Sequence, residues 1–91
     1  MSHQTELLEE TQLSEITEKV HSLILHNDDY NTFDFVIQTL IEVCDHEALQ
    51  AEQCTYLVHF KGKCDVMTDT FNNLKPFRNQ LLGRGLTATI D

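Results

Sequence analysis

Positive charge is what this sequence has least of. Six Lys and Arg stand against 15 Asp and Glu, a formal net charge of −9. Phosphate binding needs a basic stripe, so nucleic acid is disfavoured as a partner. An anionic membrane surface is disfavoured on the same ground, whereas a cationic ligand suits an acidic chain. No apolar run approaches the roughly 18–20 residues that span a bilayer. The start, Met1 to Lys19, lacks the basic-then-apolar layout of a secretory signal and is too acidic for an organelle transit peptide. The expectation is a cytoplasmic monomer. Glycine occurs three times and proline once, and neither a glycine-rich phosphate loop nor a Gly-x-Ser-x-Gly elbow is present. The cysteines, Cys44, Cys54 and Cys64, are odd in number and form no C-x-x-C pair. A disulfide framework is therefore not expected, and buried reduced thiols are.

What is present fills one domain, since 91 residues leave room for no more. Residues 1–19 carry Glu6, Glu9, Glu10, Glu15 and Glu18. Their apolar residues, Leu7, Leu8, Leu13 and Ile16, are too sparse for a core, so the segment reads as a flexible acidic arm. Residues 20–91 read as the core domain. Val20 to His26 is a β-branched and aliphatic run, expected as a strand, and it ends in the polar loop Asn27-Asp28-Asp29-Tyr30-Asn31. Phe33, Val36, Ile37, Leu40, Ile41, Val43 and Cys44 recur at helical spacing, with Asn31 as the expected cap and Asp34 in the first turn. Asp45-His46 breaks that helix.

Glu47 to Lys61 is ambiguous. Ala48, Ala51, Cys54, Thr55 and Val58 form a helical stripe, while Thr55 to Phe60 has high strand propensity. After Gly62, Lys63 to Thr68 reads as a short strand with Cys64, Val66 and Thr68 on one face. Phe71, Leu74, Phe77, Leu81 and Leu82 mark a last helix. Pro76 is least costly there if regular helix starts no earlier than Asn72 or Asn73. Gly83-Arg84-Gly85 stops it, and Leu86 to Ile90 alternates as a final strand. The expected order is β-α-α-β-α-β, a small α+β domain with a three-stranded antiparallel sheet against helices.

Two features carry candidate chemistry. The loop His26-Asn27-Asp28-Asp29 gathers an amide and two carboxylates. Such residues are ordinary loop and capping residues, and they also make an acceptor-rich lip for a cation. Calcium is not indicated, because the spacing is not that of an EF-hand. The second feature is His59, set among Tyr56, Leu57, Val58 and Phe60. A metal-binding or Cys/His-dependent protein built on Cys44, His46, Cys54, His59 and Cys64 is the alternative, although no pair has a metal-ligand spacing. No cofactor is indicated.

Leu23-Ile24-Leu25-His26-Asn27-Asp28-Asp29-Tyr30 with Phe35-Val36 and Leu40, and Gln50-Ala51-Glu52-Gln53 with Val58-His59-Phe60-Lys61-Gly62-Lys63, together resemble the signature of the ClpS family. The resemblance runs from about Val20 to Asp91. It implies that Glu47 to Phe60 is helical. It also implies an adaptor without catalysis of its own. Such an adaptor binds N-degrons, proteins with a free N-terminal Leu, Phe, Tyr or Trp, and delivers them to the N-terminal domain of a ClpA- or ClpC-like AAA+ unfoldase for proteolysis. By that resemblance Asn27, Asp28 or Asp29, and His59 surround the ligand's α-amino group. The apolar pocket maps onto Leu25, Phe33, Val36, Thr55, Val58 and Leu86, with Asn31 at the rim. Many members have methionine where this chain has Phe33 and Thr55, and those methionines are associated with excluding β-branched first residues. Lys75 matches a lysine used for unfoldase docking, while Thr70 stands at a position that is acidic in the family.

Overall fold

The computed structural model describes residues 19–91. The expected acidic arm, but for Lys19, lies outside the described residues. The central strand β1 (Val20–His26) buries Leu23 and Leu25 on one face. It pairs antiparallel with β2 (Lys63–Thr70) on one side and β3 (Thr87–Ile90) on the other, in the order β2-β1-β3. Helices α1 (Phe33–Cys44), α2 (Ala48–Lys61) and α3 (Phe71–Gly83) complete the order β-α-α-β-α-β. One apolar cluster joins Leu23 and Leu25 to Val36 and Leu40 of α1, Ala51 and Val58 of α2, and Leu74 and Leu81 of α3. Among the described residues no helix is long and apolar enough to cross a membrane.

Three local expectations are corrected. Thr32, not Asn31, caps α1: its Oγ1 accepts the Phe35 N–H at 3.1 Å. Asn31 is engaged elsewhere, as described below. Strand β2 runs two residues further than its apolar pattern, and it does not keep simple alternation. Leu23 faces Met67, but the next residue, Ile24, faces Asp65, so Val66 is an extra residue in a β-bulge. The bulge turns Val66 and Met67 toward the core and leaves Thr68 exposed, although Thr68 was expected beside Cys64 and Val66. Helix α3 begins at Phe71, so Pro76 lies inside it and the Asn72 carbonyl lacks its usual donor. The early start has a local cause. Thr70 Oγ1 accepts the Asn73 N–H, and Asp69 Oδ1 accepts from the Thr70 N–H at 2.7 Å and from Asn73 Nδ2 at 3.0 Å. Asn72 and Pro76 are both exposed, which leaves the orphaned carbonyl within reach of water.

The turn between α1 and α2 is fixed by two residues. Asp45 adopts a left-handed conformation (φ 56°) and its N–H donates to the Leu40 carbonyl. Buried His46 donates from Nε2 to the Val66 carbonyl at 2.8 Å, which ties this turn to the bulge in β2.

Cys44, Cys54 and Cys64 are free and buried. Burial, with the neighbouring Cys54, pushes the Cys44 thiol up to about 11. Burial, a hydrogen bond with Cys54, and the charges of Cys54 and Asp65 push Cys64 up to about 12. Cys44 and Cys64 of the native protein are therefore expected to react with iodoacetamide at pH 8 about 100-fold or more slowly than in guanidinium-unfolded chain, because the thiolate is the nucleophile. The same shifts set an alkaline limit. Their contribution to stability is intact below the ordinary thiol value of 9.0 and is lost as pH rises through about 11 to 12. Urea titrations from pH 8 to 11 check the sign, and Cys64→Ala should flatten the fall.

Candidate functional site

Where β1 ends, the chain must leave the sheet, and the loop that follows is built by Asp28. Its Oδ1 accepts the N–H groups of Tyr30 (2.9 Å) and Asn31 (2.8 Å), and its Oδ2 accepts from Asn31 Nδ2 at 2.9 Å. Burial raises the Asp28 pKa, but the hydrogen bonds from Asn31 and Tyr30 outweigh it and hold the carboxyl below its ordinary value. Asn31 Nδ2 also donates to the Gly85 carbonyl at 2.9 Å, so one side chain joins this loop to the turn before β3. That turn is itself closed by Gly85 at φ 86° and by the Leu86 N–H, which donates to the Leu81 carbonyl.

Beside the loop opens a concavity of about 330 Å³, including its part open to solvent. This is the small end of the range for ligand sites, room for a side chain rather than a cofactor. Leu25, Val36, Val58 and Leu86 supply its apolar lining, with Phe33 and Thr55 from the two facing helices. Thr55 spends its hydroxyl within α2, donating to the Ala51 carbonyl at 2.7 Å, so it presents its methyl group as apolar surface. Asn27, Asp28, Asn31 and His59 complete the lining with polar groups.

All seven residues expected in the apolar pocket thus meet in one concavity, with Asn27, Asp28 and His59 from the expected polar cluster. Asp29 is exposed and is not among the lining residues. Asp28 contributes its charge and little spare accepting capacity, since Oδ1 already accepts two N–H groups and Oδ2 one. Among the described residues, the Asn27 side chain and the His59 ring have no hydrogen-bond partner, and both are exposed. An amide oxygen and an unprotonated imidazole nitrogen are acceptors, so an apolar cavity with these groups and a nearby carboxylate suits a cationic donor attached to an apolar group. Lys75 stands apart on α3, with Nζ 5.7 Å from the Phe71 ring centroid. Thr70 serves as the α3 cap.

Sequence reasoning named His26 only as the start of the polar loop and gave it no place in the site, yet it lines the concavity and its Nε2 lies 2.7 Å from Thr89 Oγ1. Its adjacency to Asn27 was the available signal. The Cys/His alternative finds little support. Among the described residues no three His, Cys, Asp or Glu converge as a metal site. Cys64, a candidate nucleophile, is buried and raised, while His59 is exposed on α2.

The family described as "ATP-dependent Clp protease adaptor protein ClpS" matches residues 16–89. A ClpS adapter protein of Acetivibrio thermocellus is 39% identical over 72 residues, which cover 79% of this chain and 73% of that protein. One from Nitratidesulfovibrio vulgaris is 41% identical over 66 residues, covering 70% and 64%. Among solved structures, Agrobacterium tumefaciens ClpS2 bound to L-phenylalaninamide superposes with a TM-score of 0.70. It is 21% identical and covers 81% of this chain and 96% of that one, a likeness of fold. The chain belongs to the ClpS family of Clp protease adaptors.

Proposed function

We propose that this adaptor binds proteins through a free N-terminal Leu, Phe, Tyr or Trp and delivers them to the N-terminal domain of a ClpA- or ClpC-like unfoldase. The observation that carries this reading is the joining of one apolar concavity to the unpartnered acceptors of Asn27 and His59. L-phenylalaninamide, the ligand of the Agrobacterium protein, has a free α-amino group and an apolar side chain, the two features these surfaces suit. The first side chain enters the concavity, where burying Leu or Phe is worth roughly 1.5–3 kcal/mol. The ammonium donates to Asn27 and His59, with the charge of Asp28 behind them. Lys75 on the exposed side of α3 is assigned to unfoldase docking.

The test is fluorescence anisotropy with labelled peptides that differ only at the first residue. Leu- and Phe-initiated peptides should bind and Ser- or Glu-initiated ones should not; equal affinities throughout would refute the reading. Thr55→Met gives a finer result. Methionine fills more of the concavity than threonine, so the preference for Leu over Ile should rise by about tenfold. Identical Leu-to-Ile ratios in the two proteins would show that Thr55 does not set this tolerance.

A further inference from the structure

Four rings close a circuit at the edge of the concavity. Phe33, the first residue of α1, meets Tyr56 edge-on, with centroids 4.9 Å apart and planes at 74°. Tyr56 stacks on Phe60 at 5.6 Å and 15°. Phe60 meets the His59 imidazole edge-on at 5.1 Å and 88°, and His59 returns to Phe33 at 6.3 Å and 81°. Phe33 and His59 line the concavity; Tyr56 and Phe60 do not. Tyr56 is 49% exposed and Phe60 70% exposed, so neither is an ordinary core residue. Edge-to-face pairs of this kind have preferred geometry, and each favours one plane of the ring it touches.

We infer that Tyr56 is a positioning residue for first-residue selectivity: its ring, backed by Phe60, holds Phe33 as a stiff wall of the pocket and keeps the His59 imidazole oriented. This rests on the peptide-binding reading above and adds to it a residue outside the pocket. Phe33 sits at a helix start, where, among the described residues, Tyr56 and His59 are the rings that pair with it. A wall that cannot yield rejects a misfitting side chain, because overpacking costs free energy only where neighbours do not move. Without the Tyr56 ring, Phe33 gains rotamers that open the pocket, and misfits are tolerated.

The experiment measures Leu- and Ile-initiated peptide affinities for wild type, Tyr56→Ala and Tyr56→Phe, and records the aromatic NMR resonances of Phe33 in the free proteins. Tyr56→Ala should shrink the Leu-to-Ile ratio by about 3- to 10-fold. Tyr56→Phe, which keeps the ring, should restore it to within about twofold of wild type. The Phe33 resonances should move in Tyr56→Ala and stay near their wild-type positions in Tyr56→Phe. An unchanged ratio in Tyr56→Ala overturns the inference, as do unmoved Phe33 resonances or a Tyr56→Phe protein that behaves like Tyr56→Ala. If wild type binds neither peptide, the peptide reading falls and takes the selectivity claim with it. The Phe33 resonances separate the two failures, since they are read without ligand.

Discussion

Acetylating the N-terminus of a Leu-initiated peptide should lower its affinity for this protein by about 100-fold or more. The free ammonium offers three donors and a positive charge, and acetylation removes the charge and two of the donors. Asn27 and His59 would then be covered by the ligand with their acceptors unsatisfied, at roughly 1–3 kcal/mol for each group. The attraction between the ammonium and the Asp28 carboxylate would also be gone. Asn27→Ala and His59→Ala should each lose about 5- to 100-fold toward the unmodified peptide and almost nothing toward the acetylated one. Asp29→Ala should lose less, because Asp29 is exposed and outside the lining, and acts only through screened charge. Anisotropy with the peptide pair, with circular dichroism to verify folding, reads all four proteins. Equal affinity for the free and acetylated peptides would remove the ammonium from the mechanism.

A second large effect is expected from pH. In the proposed binding mode His59 can accept from the ammonium only when neutral, since a protonated imidazole has donors alone and repels the ligand. Bound ligand therefore disfavours protonation of His59. Affinity should fall where acid protonates His59, by up to about tenfold per unit for one linked proton. The ligand amine sets the alkaline limb, near 7.7–8 in free peptides. Other groups at the concavity must be separated from this step. The Asp28 carboxyl is held below its ordinary value of 3.8, so its hydrogen bonds hold the loop above that pH and fail only as pH falls through the lower folded value. It stays ionised across the acid limb. His26 also lines the concavity and its Nε2 faces Thr89 Oγ1, so His26→Gln serves as a control. Peptide affinity from pH 5 to 9 should show the acid limb in wild type and His26→Gln and not in His59→Gln. Persistence of the limb in His59→Gln would assign it to another group.

Helices and strands were legible where apolar residues recur at one period over ten or more residues, as in α1. The segment that became α2 was not legible from pattern, because Thr55 to Phe60 mixes strand formers with a helical stripe. What selects helix is tertiary: Ala51, Cys54, Thr55 and Val58 are the buried set, at helical spacing. The β2 pattern misled because a bulge adds a residue to one strand of a pair, which a single strand's sequence does not reveal. Choosing between Asn31 and Thr32 as a cap required knowing that Asn31 was held by Asp28 and Gly85, 54 residues away. The candidate pocket came through the ClpS resemblance, since Leu25, Phe33, Thr55 and Leu86 are scattered along the chain and look like core. The ring circuit was half visible, as Tyr56 and Phe60 lie four apart on one helix face; the approach of Phe33 was not.

Gly62 ties the two halves of the proposed ammonium site together. Its φ of 93° ends α2 three residues after His59, and its carbonyl accepts the Asn27 N–H at 2.9 Å. A Cβ there would meet nothing within 4 Å, so space does not forbid a larger residue; the backbone conformation does. Evolutionary drift should therefore be slow at this surface position for a reason unrelated to packing. A residue that pulled φ negative would re-aim the amide and the imidazole with respect to each other, and a lineage could keep the fold while losing the spacing of the pair.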